Sequence, residues 1–485
     1  MKLLLLCGVA VLLAALALGS ARAEHASPLE YSTYFGGQTE DCCDGIAGIA
    51  VDHGDTYVTG CTSATDLPTT AGAFQPAQGG GFLDGYVAKF AKDGSLVYAT
   101  YFGGSGDDCA QGIAVDDGEV VFAGGTSSED LPTTADALQP TLGGGEDAFV
   151  ARLDRTGSRL LYGSYLGGPG DDEGHGIALD GKRMYVTGTG APGFPTTTKA
   201  VQRTGGGGVD GFVASFDRHG AVYSTLLGGS NDDEGNSVAV ENDHAFVTGF
   251  SQSPNFPTTP GSFQPLYRGG GFDGSDAFVA ELAADGSRLR YSSYLGGDGH
   301  DGGTGIAVYR GRAYVTGGTG AHDFPTTPRA YQPAYGGGIL DAFLTEVDPG
   351  GAALVYSTYL GAGESNGPES GDDEATAIAL DGGRAVVTGN TNSADFPTTA
   401  DALQPTLAGS DDGFVSELGP SGGTLPYSTF FGGTDFDHPN VLAAHAGRLY
   451  VGGFTFSTDF PTTANAFQPA PAGGGDGFVS RLRVR

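Results

Sequence analysis

The sequence contains no tryptophan and is poor in positive charge. Of its 485 residues, 23 are Lys or Arg and 57 are Asp or Glu, which gives a formal net charge of −34. Nucleic acids and anionic lipids are bound through clustered Lys and Arg, so the composition argues against both partners and favours cations or cation-bearing surfaces. The alternative is that the acidity only keeps the protein soluble.

Long apolar runs are absent beyond the first 23 residues. There, the basic Lys2 precedes an apolar stretch at residues 3–18, and small residues follow at residues 21–23. This pattern predicts a signal peptide (residues 1–23) that is removed before Glu24, and a secreted protein that is extracellular, at the cell surface or periplasmic. We expect no membrane insertion after cleavage. An uncleaved anchor is the alternative.

Helical periodicity is also absent, and three sequence anchors recur seven times instead. The first is an aromatic strand that begins at Tyr31, Tyr98, Tyr162, Tyr223, Tyr291, Tyr356 and Tyr427. The second is Phe/Leu-Pro-Thr-Thr, with its prolines at Pro68, Pro132, Pro195, Pro257, Pro325, Pro397 and Pro461. The third is an Asp-Gly or Asp-Ala pair before an aromatic–aliphatic strand, at Asp84, Asp147, Asp210, Asp276, Asp341, Asp412 and Asp476.

Each repeat is interpreted as four short strands, of which the sequence GIAVD at residues 112–116 predicts the innermost. Four antiparallel strands per repeat are typical of a propeller blade, so residues 24–485 are predicted to form one all-β, seven-bladed β-propeller. The first aromatic strand has no repeat before it, and the seventh repeat lacks this strand. We therefore expect the N-terminal strand to complete the last blade. An open solenoid or two β-domains would be the alternatives.

The order of YSTYFGG, GDD, GIAVD, YVTG and FPTT resembles that of the SBBP β-propeller repeat family of bacterial exported and cell-surface proteins. The resemblance covers residues 28–485. It implies a propeller fold and a place outside the cytoplasm. The motifs are specific for the repeat and not for an activity.

Acidic loops precede most GIAVD strands, and we expect them to share one face of the disc with the long loops that carry FPTT. Paired carboxylates beside glycine carbonyls are ligands that suit Ca²⁺. The candidate calcium ligands are Asp107, Asp108, Asp171, Asp172, Asp232, Asp233, Asp298, Asp301, Asp372 and Asp373. The alternative is that these aspartates accept backbone N–H bonds within their own turns.

Residues that depart from the repeat are further candidates for binding on this face. They are His175, Arg203, Arg268, His300 and His438. A His beside carboxylates can ligate Zn²⁺ or act as a base, although single histidines in different blades are more often surface residues.

Four cysteines remain after cleavage: Cys42, Cys43, Cys61 and Cys109. In an exported protein they predict two disulfides with three possible pairings, and we favour one within blade one and one between blades one and two. A four-cysteine zinc site is the alternative, but it lacks the usual paired spacing.

The main functional hypothesis is a monomeric, non-enzymatic binding or scaffold module for an extracellular glycan, peptide or protein. No cofactor other than calcium is expected, and no catalytic residue is assigned. A propeller-fold polysaccharide hydrolase or lyase is the alternative, in which His175, His300 and His438 could contribute acid–base chemistry. The metalloprotease motif H-E-x-x-H does not occur in the sequence.

Overall fold

The computed structural model describes residues 28–38, 44–217, 219–270, 274–363 and 371–483. The predicted signal peptide, residues 1–23, lies outside the described residues. The described strands, β1 to β28, form seven four-stranded antiparallel sheets. None of the described residues forms a helix long and apolar enough to cross a bilayer. The predicted all-β, seven-bladed propeller is confirmed.

Strand β1 (Leu29–Phe35) precedes the first complete blade. Blades one and two are β2 (Ile46–Asp52), β3 (Asp55–Thr62), β4 (Asp84–Phe90), β5 (Leu96–Phe102), β6 (Asp108–Asp116), β7 (Glu119–Thr126), β8 (Asp147–Leu153) and β9 (Leu160–Leu166). Blades three and four are β10 (Glu173–Asp180), β11 (Arg183–Gly190), β12 (Asp210–Asp217), β13 (Gly220–Leu227), β14 (Asp233–Glu241), β15 (His244–Ser251), β16 (Asp276–Leu282) and β17 (Leu289–Leu295). Blades five and six are β18 (Asp301–Tyr309), β19 (Arg312–Thr319), β20 (Asp341–Val347), β21 (Leu354–Leu360), β22 (Asp373–Asp381), β23 (Arg384–Thr391), β24 (Asp412–Leu418) and β25 (Tyr427–Phe431). Blade seven contains β26 (Asp437–His445), β27 (Arg448–Thr455) and β28 (Asp476–Arg483).

The first strand of each blade is the innermost, as the sequence predicts. These strands (β2, β6, β10, β14, β18, β22 and β26) together line a central channel with a volume of about 220 Å³. The aromatic strand is the outermost of its sheet. In blades one to six the order within the sheet follows the order along the chain, and in blade seven β1 takes the outer position beside β28.

The N-terminal strand closes the ring as predicted. Strand β1 pairs antiparallel with β28, so that Tyr34 lies opposite Phe478. At the start of β1, Glu30 forms ion pairs with Arg448, Arg481 and Arg483 at 2.6–2.8 Å. Burial acts to raise the pKa of Glu30, but the bonds from Arg448 and Arg483 lower it on balance.

The hydrophobic core lies between the blades. Alternation within each third strand turns one set of side chains toward the neighbouring blade, and the Phe of FPTT joins this set. Phe194 stacks on Phe212 with 4.4 Å between ring centroids. Both rings pack in one cluster with Val121 and Ala123 of the preceding blade. The repeated Phe therefore serves the contact between blades.

Candidate binding face

The loops before the inner strands and the long loops after the second strands lie on the same side of the disc. In blade two, Ser127 N–H donates to the Asp107 oxygen at 2.9 Å, and Gly106 N–H donates to Ser128 Oγ at 2.8 Å. We call this side the loop face. The opposite side, which carries the short connections between strands, is the turn face.

The aspartate that opens each inner strand is buried and accepts hydrogen bonds from its own surroundings. Asp108 accepts from Gly104 N–H at 2.6 Å, from Ser128 Oγ at 2.8 Å, and from the Thr126 hydroxyl. The equivalent residues in the other blades are Asp44, Asp172, Asp233, Asp301, Asp373 and Asp437. Of the candidate calcium ligands, Asp108, Asp172, Asp233, Asp301 and Asp373 therefore have a structural role in the loop.

A second buried aspartate lies beside each of these. Asp84 accepts Gly79 N–H at 2.5 Å, while its Oδ1 is buried without a hydrogen-bond partner. Oxygens of Asp84 and Asp108 both lie 2.7 Å from the position that a Cβ on Gly103 would take, so only glycine fits between them. Burial, with a further contribution from the charge of Asp108, raises the pKa of Asp84 to about 7.

The other predicted ligands are more exposed. Asp107, Asp171, Asp232 and Asp298 point to solvent, and Asp372 is half-buried. Asp107 accepts Phe82 N–H at 2.5 Å, and Asp232 accepts Val209 N–H at 3.1 Å. Within the part of the chain that the structure describes, no three His, Cys, Asp or Glu side chains converge to hold a metal ion.

Charge is segregated between the two faces. Each described ion pair of a Lys or Arg lies at the turn face, where the acidic partners are Glu30, Asp55, Asp116, Asp117, Glu119, Asp243, Glu281, Glu346, Asp381 and Glu417. On the loop-face side, Arg268 of blade four is near enough to lower the pKa of Asp276 in part, although burial and Asp301 raise that pKa to about 7. The exposed loop-face carboxylates therefore have little internal compensation.

One residue of each inner strand forms a β-bulge and lines the channel. These seven latch residues are Ala47, Gln111, His175, Asn236, Thr304, Thr376 and Asn440. Most of them donate to the next blade. The direct bonds to backbone oxygens run from Asn236 to Gly303 (3.0 Å), Thr304 to Ala375 (2.6 Å), Thr376 to Pro439 (2.6 Å) and Asn440 to Ile46 (3.2 Å).

His175 is one of these latch residues and lies in β10, not in a loop as the sequence suggested. Its ring bonds the backbone of Gly235 in the next blade, and its Nε2 lies 3.6 Å from Glu173 Oε2. Burial acts to lower the pKa of His175, but the bond to Glu173 raises it on balance. The Gln111 amide donates to the same carboxylate.

Ala47 breaks the latch pattern at the interface between blades one and two, since it carries no donor. This interface holds the disulfide between Cys61 and Cys109, with a Cα–Cα distance of 4.8 Å. The predicted bridge between blades one and two is thus confirmed. Cys42 and Cys43 lie outside the described residues, so the second bridge stays a prediction.

Replacing both Cys61 and Cys109 with Ser is expected to destabilise the ring. The bridge closes a loop with a sequence separation of 48, and its loss should lower the free energy of unfolding by about 4 kcal/mol. Adding Ala47→Thr to this variant should restore about 1 kcal/mol, because a threonine there could donate to the Ala110 oxygen of the next blade. Denaturant unfolding measures both changes. Equal stability of the oxidised wild type and the double Ser variant would contradict the assignment.

The remaining predicted residues are spread over the molecule. His300 is exposed, and its Nδ1 lies 2.9 Å from the hydroxyl of Ser275, which is fully buried. Arg203 lies in the long loop that follows the second strand of blade three, where its backbone oxygen accepts from Thr196 at 3.0 Å. Arg268 belongs to the corresponding loop of blade four, and its N–H donates to Asp276 at 2.8 Å. The structure does not bring these residues into one site.

His438 does belong to a cluster, which joins blades six and seven near the channel. Its other members are Asp372, Glu374 and Asp411, and His438 Nε2 lies 3.3 Å from Asp411 Oδ2. We call these four residues the His438 cluster. Sequence reasoning missed Asp411. The available signal was its position directly before the repeated aspartate, where four other blades have Leu83, Val209, Leu340 and Gly475.

No protein-family profile matches the chain. The regulatory protein FlaEY of Caulobacter vibrioides is 24% identical over 302 residues, which cover 56% of this chain and 29% of FlaEY. The match thus spans less than a third of that relative. Among solved structures, the WD40 β-propeller domain of Doa1 aligns with a TM-score of 0.45 at 10% identity, over 94% of this chain and 97% of that one. Hydrazine synthase of Kuenenia stuttgartiensis aligns with a TM-score of 0.44 at 12% identity, over 85% of this chain and 94% of that one.

Proposed function

We propose that the chain is an exported, non-enzymatic binding or scaffold module whose loop face recognises a positively charged part of a peptide, glycan or cell-surface partner. The observation that carries this proposal is the segregation of charge. The Lys and Arg ion pairs of the described residues lie on the turn face, while exposed aspartates surround the channel mouth on the loop face. A one-sided negative field attracts and orients a cationic partner.

Export is part of this proposal and is supported by the N-terminal sequence and by the resemblance to SBBP repeats. It is also supported by the Cys61–Cys109 disulfide, because such bridges persist in oxidising compartments. The disulfide is a property of the folded chain and is independent of the sequence pattern that predicts the signal peptide.

The hydrolase or lyase alternative has less support. The Ser275–His300 contact has the residue types of a nucleophile and a base, but Ser275 is fully buried and also donates to the Asp301 oxygen. A buried hydroxyl cannot reach a polymeric substrate. The calcium hypothesis is likewise unsupported by the donor sets, and thermal unfolding in EDTA and in excess Ca²⁺ tests it: a raised melting temperature in Ca²⁺ would support it.

The proposal predicts that a cationic probe binds the loop face. We expect the chain beginning at Glu24 to bind an immobilised decapeptide of alternating Gly and Lys, to bind more weakly as salt rises, and to ignore the Gly–Glu counterpart. Removing three loop-face charges (Asp107→Asn, Asp171→Asn, Asp232→Asn) should lower the affinity about tenfold. Biolayer interferometry measures these affinities.

The matched control removes three turn-face charges, with Asp93→Asn and Asp285→Asn at exposed positions and Asp348→Asn at a half-buried one. Each of these aspartates also accepts a local backbone N–H, as Asp107 and Asp232 do. We expect the control to change the affinity less than about twofold. Equal losses in the two triple variants, or no binding by the wild type, would contradict the proposed role of the loop face.

A further inference from the structure

The His438 cluster combines three carboxylates and one histidine where β22, the start of β24 and the start of β26 meet. Asp411 is 9% exposed, and its carboxylate faces His438 at 3.3 Å. Burial raises the pKa of Asp372, and the charge of Asp411 raises it further. Burial and the charge of Asp372 do the same for Glu374. The four groups are therefore close enough to interact strongly.

Two carboxylate oxygens of this cluster, Asp372 Oδ1 and Asp411 Oδ1, are buried without a hydrogen-bond partner. Leaving such atoms unpaired costs free energy, so their convergence points to a ligand that supplies donors. The cluster reaches the protein surface at His438, whose side chain is 27% exposed. The charged groups that act on Asp372 and Glu374 belong to the cluster itself, and none of them is a Lys or Arg.

The combination occurs at one blade interface of the described chain. The residues equivalent to Asp411 in the other blades are Leu83, Glu146, Val209, Ser275, Leu340 and Gly475. Only Glu146 is acidic, and there the position of Glu374 is taken by the bridged Cys109, and that of His438 by Glu173. The His438 cluster departs from the repeat at one interface, whereas the aspartates that recur in every blade stabilise the blade itself.

We propose that the His438 cluster binds a primary ammonium group, supplied by a lysine side chain or by the N-terminal amine of the partner. An ammonium has three donors that point in separate directions, and the cluster offers carboxylates on three separate side chains, Asp372, Glu374 and Asp411. A guanidinium instead favours two oxygens of one carboxylate in a planar fork. Calcium requires six or more oxygens at 2.3–2.6 Å, whereas an ammonium accepts oxygens at about 2.8 Å.

This inference rests on the proposed function, because the ammonium would be the part of the cationic partner that the loop face recognises. It assigns Asp372 and Asp411 as charged acceptors, with Asp411 held in place by its contact with His438. Glu374 adds negative charge beside them. The remaining loop-face aspartates would attract the partner without fixing its position.

The test uses small probes with the chain beginning at Glu24. The probes are Nα-acetyl-lysine methylamide, its Nε-acetylated counterpart, and glycine methylamide, which offers only an N-terminal amine. Titration followed by NMR should show that the wild type binds the free lysine at least about tenfold more tightly than the acetylated form. Tighter binding of glycine methylamide than of the lysine probe would assign the site to chain N-termini.

The decisive variant is Asp411→Asn, which keeps the shape of the side chain and removes its charge. It should abolish the preference for the free amine. Asp298→Asn, which removes one charge from the same face between blades four and five, should weaken binding less than about twofold. Asp372→Asn provides a second test should Asp411→Asn fail to fold, and unfolding curves establish the fold of each variant.

The outcomes separate this inference from the broader proposal. If the Gly–Lys decapeptide binds the loop face but Asp411→Asn and Asp298→Asn have equal effects, the ammonium site is wrong and the loop-face role stands. A wild type that does not distinguish free from acetylated lysine also overturns the site. If the decapeptide does not bind, the loop-face role itself is wrong, whatever the small probes show.

Discussion

A chain that lacks β1 and begins at Gly36 is expected to lose its cooperative fold or to oligomerise. Removing β1 leaves β28 as an open edge beside a three-stranded blade, and an unpaired edge invites pairing with other chains. The expected loss in free energy of unfolding exceeds about 5 kcal/mol, because several large side chains leave the core together. Thermal unfolding and size-exclusion chromatography would measure both effects.

The size of this effect follows from the contacts of β1. Tyr31, Tyr34 and Phe35 are each at most 1% exposed. The Tyr34 hydroxyl donates to the Ser457 oxygen at 2.7 Å, and Glu30 binds three arginines of the last blade. Truncating one such aromatic side chain to Ala in a core costs about 3–5 kcal/mol.

A chain that begins at Pro28 provides the control, since it is shorter but retains β1. It should unfold at the same temperature as the chain that begins at Glu24. A smaller change, Glu30→Gln, should lower stability by about 1–3 kcal/mol, because it withdraws a charged acceptor from three arginines. A stable monomer without β1 would show that ring closure does not hold the propeller together.

The propeller is expected to be more stable at pH 5 than at pH 8. The cause is the buried pair of aspartates at each blade interface. Burial is the main reason that their pKa is raised, and repulsion between neighbouring carboxylates raises it further. The pKa is raised to about 7 for Asp84, Asp276, Asp341 and Asp373, and to about 6 for Asp172, Asp210, Asp301, Asp412 and Asp476.

The direction follows from proton linkage. In the unfolded chain these aspartates have their ordinary pKa of 3.8, so between about pH 4 and pH 7 the folded state holds more protons. Their contribution to stability is complete below about pH 4 and is lost as the pH rises through 6 to 7. Glu30, whose pKa is lowered, contributes in the opposite sense at lower pH. We expect the melting temperature to fall by about 5 °C or more from pH 5 to pH 8.

The matched pair of variants is Asp84→Asn and Asp93→Asn. The first removes a buried charge and lets an amide face Asp108, so it should reduce the loss of stability at high pH. The second removes an exposed charge whose pKa is lowered by bonds from Ser95, and it should leave the pH profile nearly unchanged. A melting temperature that rises steadily from pH 5 to pH 8 would contradict the role of the aspartate pairs.

The fold could be predicted from the sequence because its determinants are local and repeated. Alternation at residues such as Phe212 and Ala214 indicates a strand, and the missing aromatic strand of the seventh repeat indicates how the ring closes. The loop face could also be predicted, since the direction of the innermost strand decides on which side each connection lies.

The candidate site could not be predicted in full, because its residues meet across blades. Asp411 and His438 belong to different repeats and become neighbours only when the third strand of one blade packs beside the first strand of the next. The β-bulges could not be predicted from the sequence either. A bulge at Thr304 depends on hydrogen-bond register, which sequence patterns specify poorly. The hydrogen bond from Thr304 to Ala375 could therefore not be predicted from the sequence.

The latches also bear on how such a repeat array changes in length and order. Where Asn236, Thr304, Thr376 or Asn440 donates to a backbone oxygen, the acceptor is present whatever the side chain of the next blade, so these joints tolerate sequence divergence and blade duplication. Gln111 differs because it donates to the Glu173 side chain, and Cys61 needs Cys109. Blades one to three are therefore joined by side chains that depend on their neighbours, whereas the latches of blades four to seven need only a backbone oxygen.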